Sequence, residues 1–180
     1  SAVAKQVSLT ELGSIKINKE ERGKMLKAIP RNSVIGFLIG VLPGAGATIA
    51  SFLAYGMERN FVSDEEKEKF GKGSVHGLTA PETANNAACS GAFVPLLTLG
   101  IPGSGTTAVM LGALLGFGIQ PGPRLYITNP EIFWSVIMSM YIGMVVLLIL
   151  NLPLIPYIAR ILAVPKNYLI PLILFFSITG

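Results

Sequence analysis

Charge is what this chain has least of. Only 13% of its 180 residues are Asp, Glu, Lys or Arg, against about 25% in ordinary soluble domains. With 51% hydrophobic residues and a mean hydropathy of +0.61, the deficit points to a membrane protein. There is one cysteine, Cys89. It excludes an internal disulfide and a cysteine-based zinc site, and is expected to pack as a small apolar residue. There is one histidine, His76, just outside the apolar run that holds Ser104, and one aspartate, Asp64, in a charged loop. An intramembrane serine protease needs a base beside its serine, and an aspartyl type needs two membrane carboxylates, so an enzyme is not expected. No Lys or Arg occurs between residues 75 and 120, which argues against an anion pore built from basic rings.

The positive charge that exists is segregated. Seven of the 14 Lys and Arg fall in residues 1–31 and four in 59–72. This is the flank charge of a membrane protein and not a nucleic-acid footprint. Residues 1–31 read as a polar, basic linker or interfacial segment, in which 18–29 is either a short amphipathic helix or plain linker. Residues 32–180 read as a transmembrane transport domain. The chain opens in polar sequence and stops at Gly180 inside an apolar run, so a piece of a larger protein is expected. The fold class is all-α: a polytopic helical membrane bundle with discontinuous helices.

The discontinuities come from Pro and Gly. Residues 33–57, "SVIGFLIGVLPGAGATIASFLAYGM", form two apolar arms around a break at 43–46. An arm of ten residues reaches only about 15 Å, half a bilayer. The pair is therefore either a broken spanning helix or a re-entrant hairpin, and basic charge on both flanks favours the hairpin. Ser63 and Glu66 have capping-box spacing ahead of a surface helix. Thr79 and Glu82, with Pro81 between, have the same spacing ahead of an apolar run to Ile101. A second break follows at 102–105, and residues 106–119 resume. Asn129 and Pro130 open a plain spanning helix over 131–150. Residues 151–164 form another apolar stretch, interrupted by Pro153 and Pro156, and 168–180 begin one more span.

The two breaks repeat each other. "VLPGAGATIA" (41–50) aligns with "GIPGSGTTAV" (100–109), 59 residues apart. Paired Pro/Gly-interrupted apolar segments are the best sequence pointer to a transporter binding site. Irregular backbone is costly in lipid unless buried in protein or lining a wet cavity. A new helix is expected to begin near Ala47 and again near Thr106, and its free N–H groups and positive dipole end suit a carboxylate. Gly44, Gly46, Gly103 and Gly105 allow close backbone approach, beside Pro43. Thr48, Ser104, Thr106 and Thr107 supply hydroxyl donors. The arms before the breaks end in carbonyls, near Leu42 and at Leu99 and Gly100, which suit Na⁺ or a proton-linked water. Glu82, Asn85 and Asn86 share a helix face that Cys89 continues. Two adjacent amides in an apolar helix favour a role in orienting substrate or coupling ion. Glu82 is a candidate for the cation, although capping alone accounts for it. The Gly36/Gly40 and Gly112/Gly116 pairs point to close helix packing. A phosphate loop is dropped, because no Lys follows Gly105.

Three long stretches in order, "GFLIGVLPGAGATIASFLAYGMER", "APETANNAACSGAFVPLLTLGIPGS" and "GIQPGPRLY", closely resemble the large membrane subunit of the tripartite tricarboxylate transporters, the TctA family. The match runs from about Arg31 to Tyr126. The resemblance implies a multi-pass permease of the bacterial inner membrane. It implies a small membrane subunit and a periplasmic solute-binding protein as partners, an organic carboxylate such as citrate as substrate, and a Na⁺ or H⁺ gradient as driving force, with no other cofactor. It also implies that this chain corresponds to the C-terminal half. Positions matching the family pattern are Pro43, Gly44, Gly46, Pro81, Glu82, Asn85, Asn86, Gly100, Pro102, Gly103 and Ser104. A Glu is usual where His76 stands, and Ala is commoner at Gly105. The rival reading is a non-transporting membrane scaffold whose breaks only permit tight packing.

Overall fold

The computed structural model describes residues 17–159 and 166–179. All regular structure among them is α-helical, as expected. The chain divides into two compact units, residues 17–136 and a second that includes residues 137–159 and 166–179.

Helix α1 (Lys19–Val41) starts on a capping box: Asn18 Oδ1 accepts from the Glu21 N–H at 2.7 Å, and the Glu21 carboxylate accepts from the Asn18 N–H at 2.9 Å. It then continues through Pro30. The polar segment over 18–29 and the apolar arm after residue 32 are one helix, and the boundary expected between them at 31/32 lies inside it. Residues 1–16 of that segment lie outside the described residues. After a turn at 42–45, with Gly44 at φ 82°, helix α2 (Gly46–Phe61) runs back beside α1. Arg31 and Glu58, each twelve residues from the Pro43–Gly46 turn, form an ion pair. The first discontinuity is thus a helical hairpin.

A short helix α3 (Asp64–Lys67) follows, but Ser63 makes no side-chain capping bond. Glu66 instead binds Lys24 and Lys69, so the expected capping box is absent. Helix α4 (Val75–Gly91) begins before Thr79, because Ser74 Oγ accepts the Gly77 N–H at 3.0 Å and so caps it first. Thr79 is buried inside the helix and caps nothing. The apolar run also divides: α4 stops at Gly91 and α5 (Phe93–Leu99) follows. Pro95 has no N–H to give the Gly91 carbonyl, so the ladder is interrupted there. Gly100, at φ 70°, closes α5 by donating its N–H to Leu96 O at 3.0 Å. Helix α6 (Gly105–Gly116) resumes after the second break, and α7 (Leu125–Thr128) precedes α8 (Pro130–Ala159).

Helix α8 passes through Pro153 to Ala159, so the stretch expected as separate from residue 151 is, as far as 159, the end of the same helix. Residues 160–164 of that stretch lie outside the described residues. Its Pro130–Ile155 portion, 26 residues, is the one helix among the described residues long and apolar enough to cross a membrane. That length is about 39 Å of helix, more than a hydrocarbon core of about 30 Å. Helix α9 (Lys166–Thr179) contributes a shorter apolar stretch.

Helices α1, α2 and α4 pack on small residues spaced by four. The buried positions are Ala28, Asn32, Gly36 and Gly40 on α1, Ala50, Ala54 and Glu58 on α2, and His76, Ala80, Ala84 and Ala88 on α4. Residues four apart form a ridge along one helix face, and small side chains on that ridge let backbones approach closely. A Cβ added to Gly36 would overlap the backbone of Ala84, and one added to Gly40 that of Ala88. The first glycine pair therefore packs helices, as expected. Gly112 and Gly116 have nothing within 4 Å of an added Cβ, so close packing is not seen there among the described residues.

Candidate functional site

Helices α1 and α4 run the same way, since Gly36 meets Ala84 and Gly40 meets Ala88. Their C-terminal ends therefore lie at one end of the bundle, and both breaks lie there with them. The contact is direct. Gly103 is buried, and a Cβ added to it would stand 3.3 Å from Ala92 Cβ and 3.6 Å from the Gly40 carbonyl oxygen. Gly40 is three residues before Pro43. The second break thus packs beside the last turn of α1, three residues ahead of the first break.

Donors differ between the breaks. Helix α2 starts at Gly46 with no side-chain cap on Ala45, leaving its first-turn N–H groups for another acceptor. Pro43, Gly44 and Thr48 are exposed. Helix α6 starts at Gly105, and Ser104 caps it. Ser104 Oγ accepts from the Thr107 N–H at 3.2 Å, and Thr107 Oγ1 accepts from the Ser104 N–H at 2.8 Å while donating to Ser104 O at 2.9 Å. Thr107 is buried and its hydroxyl is committed to this cap, so it holds the helix start in place and does not face a ligand. Gly105 and Thr106 are exposed and Ser104 half-buried. The N–H groups of Gly105 and Thr106 and the Thr106 and Thr48 hydroxyls remain the donors aimed outward from the chain's own bonds.

Among the expected carbonyl acceptors, Leu42 O is taken by the Ala45 N–H at 3.2 Å, whereas those of Leu99 and Gly100 accept no backbone N–H among the described residues. Asn85 and Asn86 do not act together. Asn85 is half-buried and donates to Ser51 Oγ at 3.2 Å, and the one Ser51 hydroxyl hydrogen is shared between Ala47 O at 2.9 Å and Pro81 O at 3.2 Å. This chain of bonds ties α4 to α2. Asn86 is exposed and donates to the Glu82 carbonyl in its own helix. Glu82 and Cys89 are exposed on the same side, so Cys89 does not pack inside as expected. The shared polar face holds for Glu82, Asn86 and Cys89, with Asn85 turned towards α2.

The opposite end of the bundle holds a polar cluster that the sequence reading missed. Glu58 has no exposed surface. Its Oε1 accepts from Arg31 Nη2 at 2.6 Å and from His76 Nδ1 at 2.8 Å, and its Oε2 from Arg31 Nε at 3.0 Å and Asn32 Nδ2 at 2.8 Å. Arg31 also lies 4.4 Å over the Phe61 ring. His76 is 7% exposed and belongs to this cluster. The missed signal was the four-residue spacing: Asn32, Glu58 and His76 each occupy a place on a small-residue stripe, and each lies towards the same end.

Burial pushes the Glu58 carboxyl up, but the bonds from Arg31, Asn32 and His76 outweigh it and hold the group below its ordinary value of 4.5. The cluster lies in the charged part of the chain, below the apolar arms. A lowered carboxylate pKa contributes stability that is present above the unfolded value and lost as pH falls through the folded one. Acid is therefore expected to loosen the three-helix bundle below about pH 4.5 and not between pH 5 and 8. Thermal unfolding of the full-length protein from pH 3 to 8, with Glu58→Gln as comparison, checks this. The variant should lack the acid step.

The sequence profile described as the tripartite tricarboxylate transporter TctA family matches residues 2–180. A 52.8 kDa uncharacterised protein from the TAR-I ttuC′ 3′ region of Agrobacterium vitis is 39% identical over 176 residues, 98% of this chain and 35% of that relative. A protein from the TAR-II ttuC′ 3′ region of the same organism is 45% identical over 145 residues, 81% of this chain and 59% of the relative. The chain thus spans less than two thirds of the length of each. No solved structure matches it.

Proposed function

We propose that this chain, which belongs to the tripartite tricarboxylate transporter TctA family, carries part of a carboxylate path through the bacterial inner membrane. The family is one of membrane transport components and not of enzymes. The reading goes further. An organic carboxylate, delivered by a periplasmic solute-binding protein, docks where the two breaks meet, and a Na⁺ or H⁺ gradient drives uptake. A small membrane subunit completes the assembly.

One observation carries this reading: Gly103 in the second break packs against Gly40 beside the first. Helices α2 and α6 begin six residues after Gly40 and two after Gly103, at Gly46 and Gly105. A carboxylate there would accept N–H bonds from Gly46, Ala47, Gly105 and Thr106 and hydroxyl bonds from Thr48 and Thr106. The open carbonyls of Leu99 and Gly100 and the exposed Glu82 are the candidates for the coupling cation.

The test is uptake of labelled di- and tricarboxylates by cells carrying the full-length protein and its partner subunits. Binding protein is present or absent, and Na⁺ and proton gradients are imposed separately. Accumulation that needs the binding protein and one gradient supports the reading. No accumulation of any carboxylate, with every subunit present, overturns it. Gly103→Leu is expected to abolish uptake while the protein still inserts, whereas Gly103→Ala, whose methyl meets Ala92 at 3.3 Å, should reduce it only partly. Uptake that survives bulky residues at both breaks would leave the scaffold reading.

A further inference from the structure

At the polar end of the bundle, away from the breaks, a cleft of about 450 Å³ opens beside the Glu58 cluster. Lys19, Lys24, Lys27 and Arg31 of α1 line one side, with Phe61 at the end of α2 and His76 at the start of α4. We infer that this cleft binds the phosphodiester headgroup of an anionic phospholipid.

The charges in the cleft do not cancel. Arg31 is matched by Glu58, and Lys24 lies between Glu20 at 2.7 Å and Glu66 at 3.0 Å. Lys19 and Lys27 have no ion pair among the described residues and are exposed. Glu20 and Glu66 also line the cleft, so its four positive charges face three negative ones once Glu58 is included, and the single excess positive charge is balanced by the single charge of a phosphodiester. His76 uses Nδ1 on Glu58 and is one of the residues lining the cleft. In the neutral ring with Nδ1–H donating, Nε2 is an acceptor. It suits a headgroup hydroxyl next to the phosphate.

Position selects a lipid over a free phosphate. The cleft lies where α1 changes from its charged stretch, Lys19–Arg31, to its apolar one. Phe61, 58% exposed, forms part of its wall, and the α1 surface beyond Arg31 exposes Val34, Phe37 and Leu38. A headgroup in the cleft would leave its acyl chains against those side chains. Basic pockets between membrane helices at this depth bind anionic headgroups. The inference rests on the bilayer reading of the chain. Resistance of the full-length protein to alkaline carbonate extraction from membranes tests that premise separately, without any lipid-binding readout.

The experiment is a thermal-shift titration of the delipidated full-length protein in neutral detergent. Phosphatidylglycerol, phosphatidylcholine and inorganic phosphate are the three probes. Phosphatidylglycerol should raise Tm saturably, with the other two giving little. Lys19→Gln/Lys27→Gln should weaken the apparent affinity about tenfold or more, while Lys67→Gln/Lys72→Gln, the same charge loss outside the cleft, should leave it unchanged. Equal shifts with phosphatidylcholine, or equal effects of the two double variants, would overturn the site. A full shift from inorganic phosphate alone would overturn the lipid as its occupant.

Discussion

Glu58→Ala should lower the stability of the full-length protein by about 3 kcal/mol. Removing one partner of a buried ion pair costs about 3–5 kcal/mol, because the other is left uncompensated. Arg31 retains 29% side-chain exposure, so water relieves part of that penalty and the lower end applies. Three donors from two helices lose their acceptor at once: Arg31 and Asn32 on α1, and His76 on α4. Asn32 is already strained for partners, since its Oδ1 is buried with none. Thermal unfolding in detergent is the measurement, with Glu65→Ala, an exposed carboxylate 83% open to solvent, as control. A midpoint for Glu58→Ala equal to that of the control would remove the cluster from any account of stability. Arg31→Met/Glu58→Leu should recover part of the loss, because apolar replacement of a whole pair is often tolerated. Recovery is incomplete because Asn32 and His76 still lack their acceptor.

Gly40→Ala is the second large effect, and it comes from one methyl group. The new Cβ overlaps the backbone of Ala88, which cannot rotate away as a side chain does. Helix α1 must move off α4, and overpacking of this kind costs about 1–3 kcal/mol. Gly91 of α4 also packs against the α1 backbone near Phe37 and Gly40, and Gly103 against the Gly40 carbonyl. The displacement therefore reaches the second break, and uptake should fall with stability. Gly112→Ala and Gly116→Ala are the matched comparison, having open space at the added atom. They should be neutral or slightly stabilising, since Ala is the better helix former by up to about 1 kcal/mol. If all three variants unfold at the same temperature, the α1–α4 contact is not the close one described.

Much of the α1–α2–α4 architecture was legible because Pro and Gly punctuate it. The break at 43–46 and a restart near 106 follow from local backbone chemistry, whereas the choice of a hairpin over a broken spanning helix leaned only on flank charge. Helix starts were harder. Thr79 has the spacing of a cap, but Ser74 lies upstream and wins, so the true start depended on which of two adequate signals came first. The division at Ala92 was readable from Pro95 and was overlooked within a uniformly apolar run. Pro153 misled in the opposite direction, since α8 continues through it. The donor set at the breaks was half legible: small and hydroxyl residues were evident, but the mutual bonding of Ser104 and Thr107 depends on cap geometry. The Glu58 cluster was hidden because it is drawn from three places, Arg31–Asn32, Glu58 and His76, that lie 18 to 45 residues apart in the chain. Each looks like ordinary flank polarity until the helices are laid side by side.

The small-residue stripes have a consequence of their own. Because Gly and Ala recur every four residues, the α1–α4 surface is nearly self-similar under translation. A shift of α1 by one four-residue step, about 6 Å, would set Gly36 beside Ala88 and Gly40 beside Ala92, again small against small. Packing alone distinguishes poorly between these two registers. The polar tier does not repeat: there is one Asn32, one Glu58 and one His76 on the three stripes. A slipped helix would carry Arg31 and Asn32 away from the only carboxylate buried among them. The apolar contacts therefore set how close the helices lie, and the single ionic tier acts as the key that admits one alignment out of several.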